Sequence, residues 1–390
     1  METTTREVSI GFVSTYPPTI CGLATYTSSL LDAVVTNRNS RHGVGVVDLG
    51  GRSGGGATDV AFHHRFGNTA SLTSAMRVLN SYDAVSIQHE YGIFGGRDGD
   101  EVLDLAAGLS VPMAVTFHTV LEYPTANQRA IIDQLALRAS RMVVMSQTGA
   151  QRLTSRYDID PERIDVLPHG ADPLFCGPSL VTGHRPLVLT WGLIGPGKGL
   201  ESAIAAFGGL LDLDPRPRYL IAGATHPLVR QSAGESYRDS LVDLVADLGL
   251  DDVVEFDARY LDKGELAAVV RSADLVVLPY SSVEQVTSGV LVEAIAAGKP
   301  VIATRFPHAV ELLSDGAGAT VPHGDPDALG AALRRLLTSP EASAAASREA
   351  RRLADGWYWP TIGQRFDTIM SQMVEVDRLT RPLPEMRRVG

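Results

Sequence analysis

From residue 7 onward the chain alternates short apolar runs rich in β-branched residues with longer stretches of helical periodicity. VSIGFV, VGVVDL, AVSIQ, MAVTF, MVVMS and the DVLP of 165–168 predict strands, and 24–35, 128–139 and 148–157 predict amphipathic helices between them. Strands that are apolar throughout, separated by helices, form a parallel sheet covered on both faces. A polar stretch carrying Pro and Gly, residues 169–186, then interrupts the rhythm and predicts a linker, as GGRSGGG at 50–56 predicts a flexible loop.

The alternation restarts with PLVLTW, RYLIA, DVVEF, DLVVLP, PVIAT and the GAT of 318–320 as strands. Helices are expected at 200–211, 237–248, 263–272, 289–297 and 325–337. The pattern thus predicts two doubly wound, Rossmann-like α/β domains, residues 1–175 and 186–355. A last amphipathic helix within 356–390, opened by Trp357, Tyr358 and Trp359, is expected to return to the first domain. Two such domains facing each other would leave a cleft at the carboxyl ends of their sheets, where open α/β folds bind ligands.

Composition narrows the chemistry. A formal charge of -11 over 390 residues argues against a protein that neutralises nucleic-acid phosphates or docks on an anionic membrane. Two cysteines, Cys21 and Cys176, lie far apart without CxxC spacing, which supports neither a disulfide framework nor a thiolate zinc site. The start METTTREVSIGFVS lacks a basic n-region and a long apolar run, and no stretch reaches the roughly 18 to 20 apolar residues of a membrane span. The expected setting is a reducing cytoplasm, with membrane association at most peripheral. Lysine occurs at 198, 263 and 299, and arginine supplies every other side-chain cation.

Lys198 stands in the sharpest local signal, WGLIGPGKGLESAIAAF, where glycines at 192, 195, 197 and 199 separate a strand from a helix. Main-chain amides without Cβ cover, a helix N-terminus and an ammonium group together form a site for phosphate or diphosphate. The segment nearly spells a P-loop, but Gly199 stands where a hydroxyl residue would hold magnesium. In the second signal, residues 281–304, polar residues precede a helix opening near Gly289, and Glu293 follows one turn later. A carboxylate there accepts two hydroxyl hydrogen bonds, as from a ribose diol, or else pairs within its own helix.

Taken together these segments resemble the retaining glycosyltransferases of family 4, and the resemblance extends over nearly the whole chain. Lys198 with Gly199 matches the family's lysine, and Glu293, Ala294, Gly298, Pro300 and Val301 match its second-domain tail. The resemblance implies the two-domain GT-B fold, with Lys198 on the donor diphosphate and Glu293 on the ribose. It also implies that Gln285, Thr287, Ser288, Gly289 and Val290 meet donor sugar and phosphate. Leu193 and Gln285 depart from the family, which has an arginine and a glutamate there. In the first domain Pro17, Pro18 and Gly22 resemble the loop whose glycine approaches the donor. TFHTV resembles a segment whose histidine, here His118, contacts the donor sugar near the reacting carbon.

QHEYG places His89, Glu90 and Tyr91 at a strand end, positions suited to an acceptor. DVLPHGAD, with His169, resembles a hinge turn. Asp98-Gly99-Asp100 has the look of a metal motif, but its place before a helix predicts an N-cap. His63 and His64 make no metal spacing. The expected activity is transfer of a hexose from a nucleoside diphosphate sugar to a hydroxyl acceptor (a sugar, a glycan or a lipid-linked alcohol), with retention, no metal and no cofactor. The alternatives are a related sugar-nucleotide epimerase or glycan phosphorylase, a catalytically silent sugar-binding module and, against Gly199, a P-loop ATPase.

Overall fold

The computed structural model describes residues 7–50, 58–177 and 185–380. The expected glycine loop after Gly50, residues 178–184 of the expected linker and the tail beyond 380 lie outside the described residues. The chain divides into two compact units, Met1–Met145 with Ala150–Leu167 and Ile362–Gly390, and Ser146–Gly149 with Pro168–Thr361.

The strands of the first unit are β1 (Ile10–Ser14), β2 (Val44–Asp48), β3 (Val60–His63), β4 (Ala84–His89), β5 (Met113–Phe117), β6 (Arg141–Val144) and β7 (Ile164–Val166). They alternate with helices α1 (Gly22–Arg38), α2 (Thr69–Leu79), α3 (Glu101–Ala107), α4 (Ala126–Arg138) and α5 (Gln147–Tyr157). The strands form one parallel sheet in the order β3-β2-β1-β4-β5-β6-β7. The edge strand β3 is only half-buried and lacks a continuous apolar run, which is why sequence pattern alone does not mark it.

The second unit carries β8 (Leu187–Trp191), α6 (Leu200–Gly208), β9 (Arg218–Ala222), α7 (Pro227–Ala233), α8 (Ser236–Asp247), β10 (Val254–Asp257) and α9 (Lys263–Ser272). It continues with β11 (Leu275–Leu278), α10 (Gly289–Ala296), β12 (Val301–Thr304), α11 (Pro307–Leu313), β13 (Gly318–Val321), α12 (Pro326–Thr338) and α13 (Pro340–Leu353). Its parallel sheet runs β10-β9-β8-β11-β12-β13. Side chains alternate between two buried layers: Leu189, Val276 and Ala303 join the core with α10, and Val188, Val277 and Ile302 join the core with α6 and α12.

The last helix, α14 (Trp359–Thr380), reaches from Thr361 into the first unit. There Phe366 stacks on Phe12 of β1 at 5.6 Å, and Asp367 takes the Arg38 guanidinium in a bidentate pair. Gly363 packs so closely on α1 that a Cβ would lie 2.6 Å from that of Ala33. Among the described residues no helix is long and apolar enough to cross a membrane.

In both sheets the strand order reverses between two neighbours, β1 and β4 in the first unit and β8 and β11 in the second. At such a point the helices leave to opposite faces, and a crevice opens beyond the carboxyl ends of the two strands.

Candidate active site

In the second unit residues 192–199 carry the chain from β8 to α6. Gly192, Gly197 and Gly199 adopt φ of +125°, +88° and +64°, where side-chain residues are strained. Gly197 O accepts from Ser281 N at 2.9 Å, which stitches this loop to the segment after β11. Gly199 closes on the same segment: a Cβ there would stand 1.9 Å from Pro279 O. Gly199→Ala should therefore lower stability by about 2–4 kcal/mol, from left-handed strain and a backbone clash, and a denaturant melt would read it as a drop in midpoint.

Lys198 is half-buried, with Nζ 4.5 Å from the ring centroid of Tyr280, which itself stacks on Phe306 at 5.3 Å. The ring face steadies the ammonium without neutralising it, so the charge stays available to an anion.

Across the switch point, the segment after β11 delivers the other predicted donor residues. Ser288 caps α10 by accepting from Leu291 N, and its own N–H is held by Nδ1 of buried His308 at 2.9 Å. Burial pushes His308 down to about 3, so it is neutral and able to accept. The Gln285 amide donates to Thr287 O at 3.0 Å, tying it to its own turn, and Thr287 Oγ1 is buried with no partner among the described residues. Such an orphaned hydroxyl fits a ligand group. Gly289 opens the helix beneath His169, whose Nε2 would lie 2.7 Å from a Cβ at that position. His169 is held by burial at about 4, and it donates from Nδ1 to Gly170 O. Val290 is half-buried on the first turn.

Glu293, one turn further, accepts from Trp191 Nε1 at 3.4 Å. Burial pushes its carboxyl up to about 7; the Trp191 hydrogen bond lowers it, Asp172 raises it again and Lys263 lowers it. Lys263 is itself paired with Asp172 at 3.2 Å.

Sequence pattern does not single out Trp191, Tyr280 or His308 as site residues. The first two end strands or follow them directly, which is the available signal; His308 becomes meaningful only when α11 brings it under Ser288.

In the first unit Gly22 opens α1 behind Cys21, whose thiol accepts from Ala24 N. A Cβ on Gly22 would meet nothing within 4 Å, so internal packing does not demand the glycine. His118 follows β5 and is oriented twice: Nε2 lies 2.9 Å from Oε1 of buried Gln88, and the ring meets Tyr26 edge-on at 4.8 Å. Gln88 donates its amide to Ser86 Oγ, which turns its oxygen toward the imidazole and assigns the His118 proton to Nε2.

The acceptor role expected for His89 needs correction. It is fully buried among Tyr91, Phe94 and Phe117, neither ring nitrogen has a protein partner, and burial pushes it down to about 3. Alternation explains the error: the last residue of β4 points into the core. Glu90 and Tyr91 are half-buried but bonded within the unit, Glu90 to Thr119 Oγ1 and Tyr91 N, and Tyr91 to Gln128 O. Burial raises the Glu90 carboxyl above its ordinary range.

The N-cap expected of Asp98-Gly99-Asp100 is also corrected. Asp100 occupies the position before α3 in αR conformation without a capping hydrogen bond, and Asp98 instead accepts from Asn127. Among the described residues no three His, Cys, Asp or Glu side chains gather into a metal-holding group.

Residues 178–353 match the family model for glycosyl transferases group 1, and residues 49–174 match that for glycosyltransferase family 4. A D-inositol 3-phosphate glycosyltransferase of Frankia alni is 30% identical over 66% of this chain and 68% of its own length. One of Kineococcus radiotolerans is 30% identical over 64% of this chain, which spans 63% of that protein's length. In three dimensions the chain superposes on Anabaena HepE crystallised with UDP, at a TM-score of 0.73 and 18% identity over 93% of this chain and 100% of the other. Sucrose-phosphate synthase of Thermosynechococcus elongatus gives 0.72 and 17% over 94% and 100%. The two α/β units are those of the GT-B fold.

Proposed function

Because the chain belongs to the group 1 glycosyl transferases, we propose that it moves a hexose from a nucleoside diphosphate sugar to a hydroxyl acceptor, with retention and without a metal. The observation that carries this reading is the switch point between β8 and β11, where an ammonium free of carboxylates among the described residues, the capped start of α10 and the Glu293 carboxyl come together. A diphosphate leaving group develops negative charge as its bond to the sugar breaks. Lys198 and main-chain N–H groups offset that charge where a metal ion otherwise would. Glu293 has the acceptor capacity for a ribose diol, and Thr287 Oγ1 has an unmade hydrogen bond to give.

In this reading the acceptor oxygen attacks from the face the leaving phosphate is vacating. The bond from the anomeric carbon to the phosphate oxygen breaks, the new carbon–oxygen bond forms on the same side, and the acceptor proton passes to the phosphate. No enzymic nucleophile takes part. In this reading His118, held by Gln88 and Tyr26, steadies the reacting sugar. The HepE structure with UDP supports a uracil nucleotide as the first to try, and the inositol-phosphate relatives support an alcohol on a sugar-like ring as acceptor.

The test is a thermal-shift and calorimetric panel of UDP, GDP, ADP and dTDP, each with EDTA, and of ATP with magnesium. One nucleoside diphosphate should raise the melting temperature without metal, since a ligand at a hundred times its Kd adds about 2.7 kcal/mol to native stability. A response to ATP with magnesium only, or to none of them, would overturn the reading.

A further inference from the structure

A diphosphate carries at least two negative charges, and Lys198 answers one of them. Leu193, on the same loop, contributes none. The loop after β9 supplies a neighbour. Three main-chain bonds join the two loops: Gly192 N to Ala222 O at 3.0 Å, Ile194 N to Ala224 O at 2.9 Å and His226 N to Ile194 O at 2.8 Å. A Cβ on Gly195 would stand 3.7 Å from that of His226. The base of the His226 side chain therefore sits against the lysine-bearing turn. Its Nδ1 accepts from Leu228 N at 3.2 Å, which puts the proton of the neutral ring on Nε2, the atom turned away from the helix start.

The loop is anchored from α8. Arg238 of α8 is only 8% exposed and donates Nη2 to Gly223 O at 2.6 Å, with Nε 3.5 Å from Glu235. Glu235 also takes the Thr225 hydroxyl and lies 3.4 Å from Arg230.

We infer that His226 is a second cationic contact for the donor diphosphate, taking up a proton at its imidazole as the nucleotide binds beside Lys198. This rests on the nucleotide-sugar reading above. Burial first, then the Lys198 charge, hold the imidazole below its ordinary range. Of the other charged groups nearby in the chain and on the neighbouring elements, Arg230 lies on the helix His226 caps, and Glu235 ahead of α8, Arg238 of α8 and Asp257 of β10 are engaged with one another or with Arg259. A diphosphate reverses the balance by adding negative charge at Nε2.

The test is calorimetry with UDP, GDP, ADP and dTDP at about pH 6 and about pH 8, in buffers of different ionisation enthalpy. Wild type should bind its nucleotide more tightly at the lower pH and take up on the order of one proton beyond the phosphate's own titration. His226→Asn keeps a good helix-capping side chain. It should lose about tenfold in affinity near pH 6, little near pH 8, and the additional proton uptake, while binding of the bare nucleoside is unchanged. His226→Gln serves as the second variant if the melt of the first is displaced. Unchanged diphosphate affinity and proton uptake in both variants would overturn the inference and leave the transferase reading standing. Failure of wild type to bind any of the four would overturn both.

Discussion

Glu293→Gln is expected to yield a protein that is more stable than wild type above pH 7 and markedly worse at holding its nucleotide. The buried carboxyl is raised from 4.5 to about 7, so between those values the native state binds more protons than the unfolded chain. Stability then falls as pH rises through that window, and below about pH 4.5 the penalty is absent. A neutral amide of the same shape removes the penalty. At pH 8 the gain is roughly 3 kcal/mol at most, since each tenfold change in proton affinity is worth about 1.36 kcal/mol, and near pH 4.5 the two proteins should melt alike. Trp191 Nε1 keeps an acceptor in the amide oxygen. The nucleotide, by contrast, loses a carboxylate that accepts two hydroxyl hydrogen bonds, a loss of about 10- to 100-fold in affinity. Urea melts at both pH values, with nucleotide titration at pH 8, check both halves. A variant less stable than wild type at pH 8 would show that the Glu293 charge is compensated within the fold.

Lys198→Ala should remove about 2 kcal/mol of diphosphate binding, in the range of 10- to 100-fold, with little change in the affinity of the corresponding nucleoside. No carboxylate among the described residues pairs with Lys198, so its truncation leaves no counter-charge stranded. The fold forfeits only the contact with Tyr280, about 0.5–1 kcal/mol. The loss of binding should shrink as salt is raised, because the lysine is a point charge at a partly open surface. Equal diphosphate affinity in wild type and variant would remove Lys198 from the site. Together the two variants test the proposed roles separately, position 198 against the phosphate and position 293 against the ribose diol.

The difference between what is legible in the chain and what is not has a simple physical basis. Central strands such as β5, β9 and β12 announce themselves because their faces are buried and their apolar runs are nearly unbroken. Helix α9 is readable to its ends, since Asp262 and Glu265 form a capping box around it. Elements that bury little escape: α2 hides only Ala75 and Leu79, α13 only Ala346 and Ala350, and α7 nothing. Their apolar stripes are too thin to stand out from polar neighbours, and packing rather than pattern fixes them.

The same division holds for the site. Lys198, Ser288, Gly289 and Glu293 are visible because glycine clustering and the step from strand to helix are local features, encoded in neighbouring residues. His89 misleads because a strand-end position does not say which face the side chain takes; only the packing of Phe94 and Phe117 decides that. The raised Glu293 carboxyl, the support of Tyr280 under Lys198, the grip of His308 on Ser288 and the approach of His226 to the phosphate loop all join residues far apart in the chain. The sequence by itself determined two doubly wound units and the glycine-rich turn that carries Lys198, since periodicity and turn chemistry are short-range. Tertiary structure alone decided which groups are buried, neutral or paired, because desolvation and charge act through space.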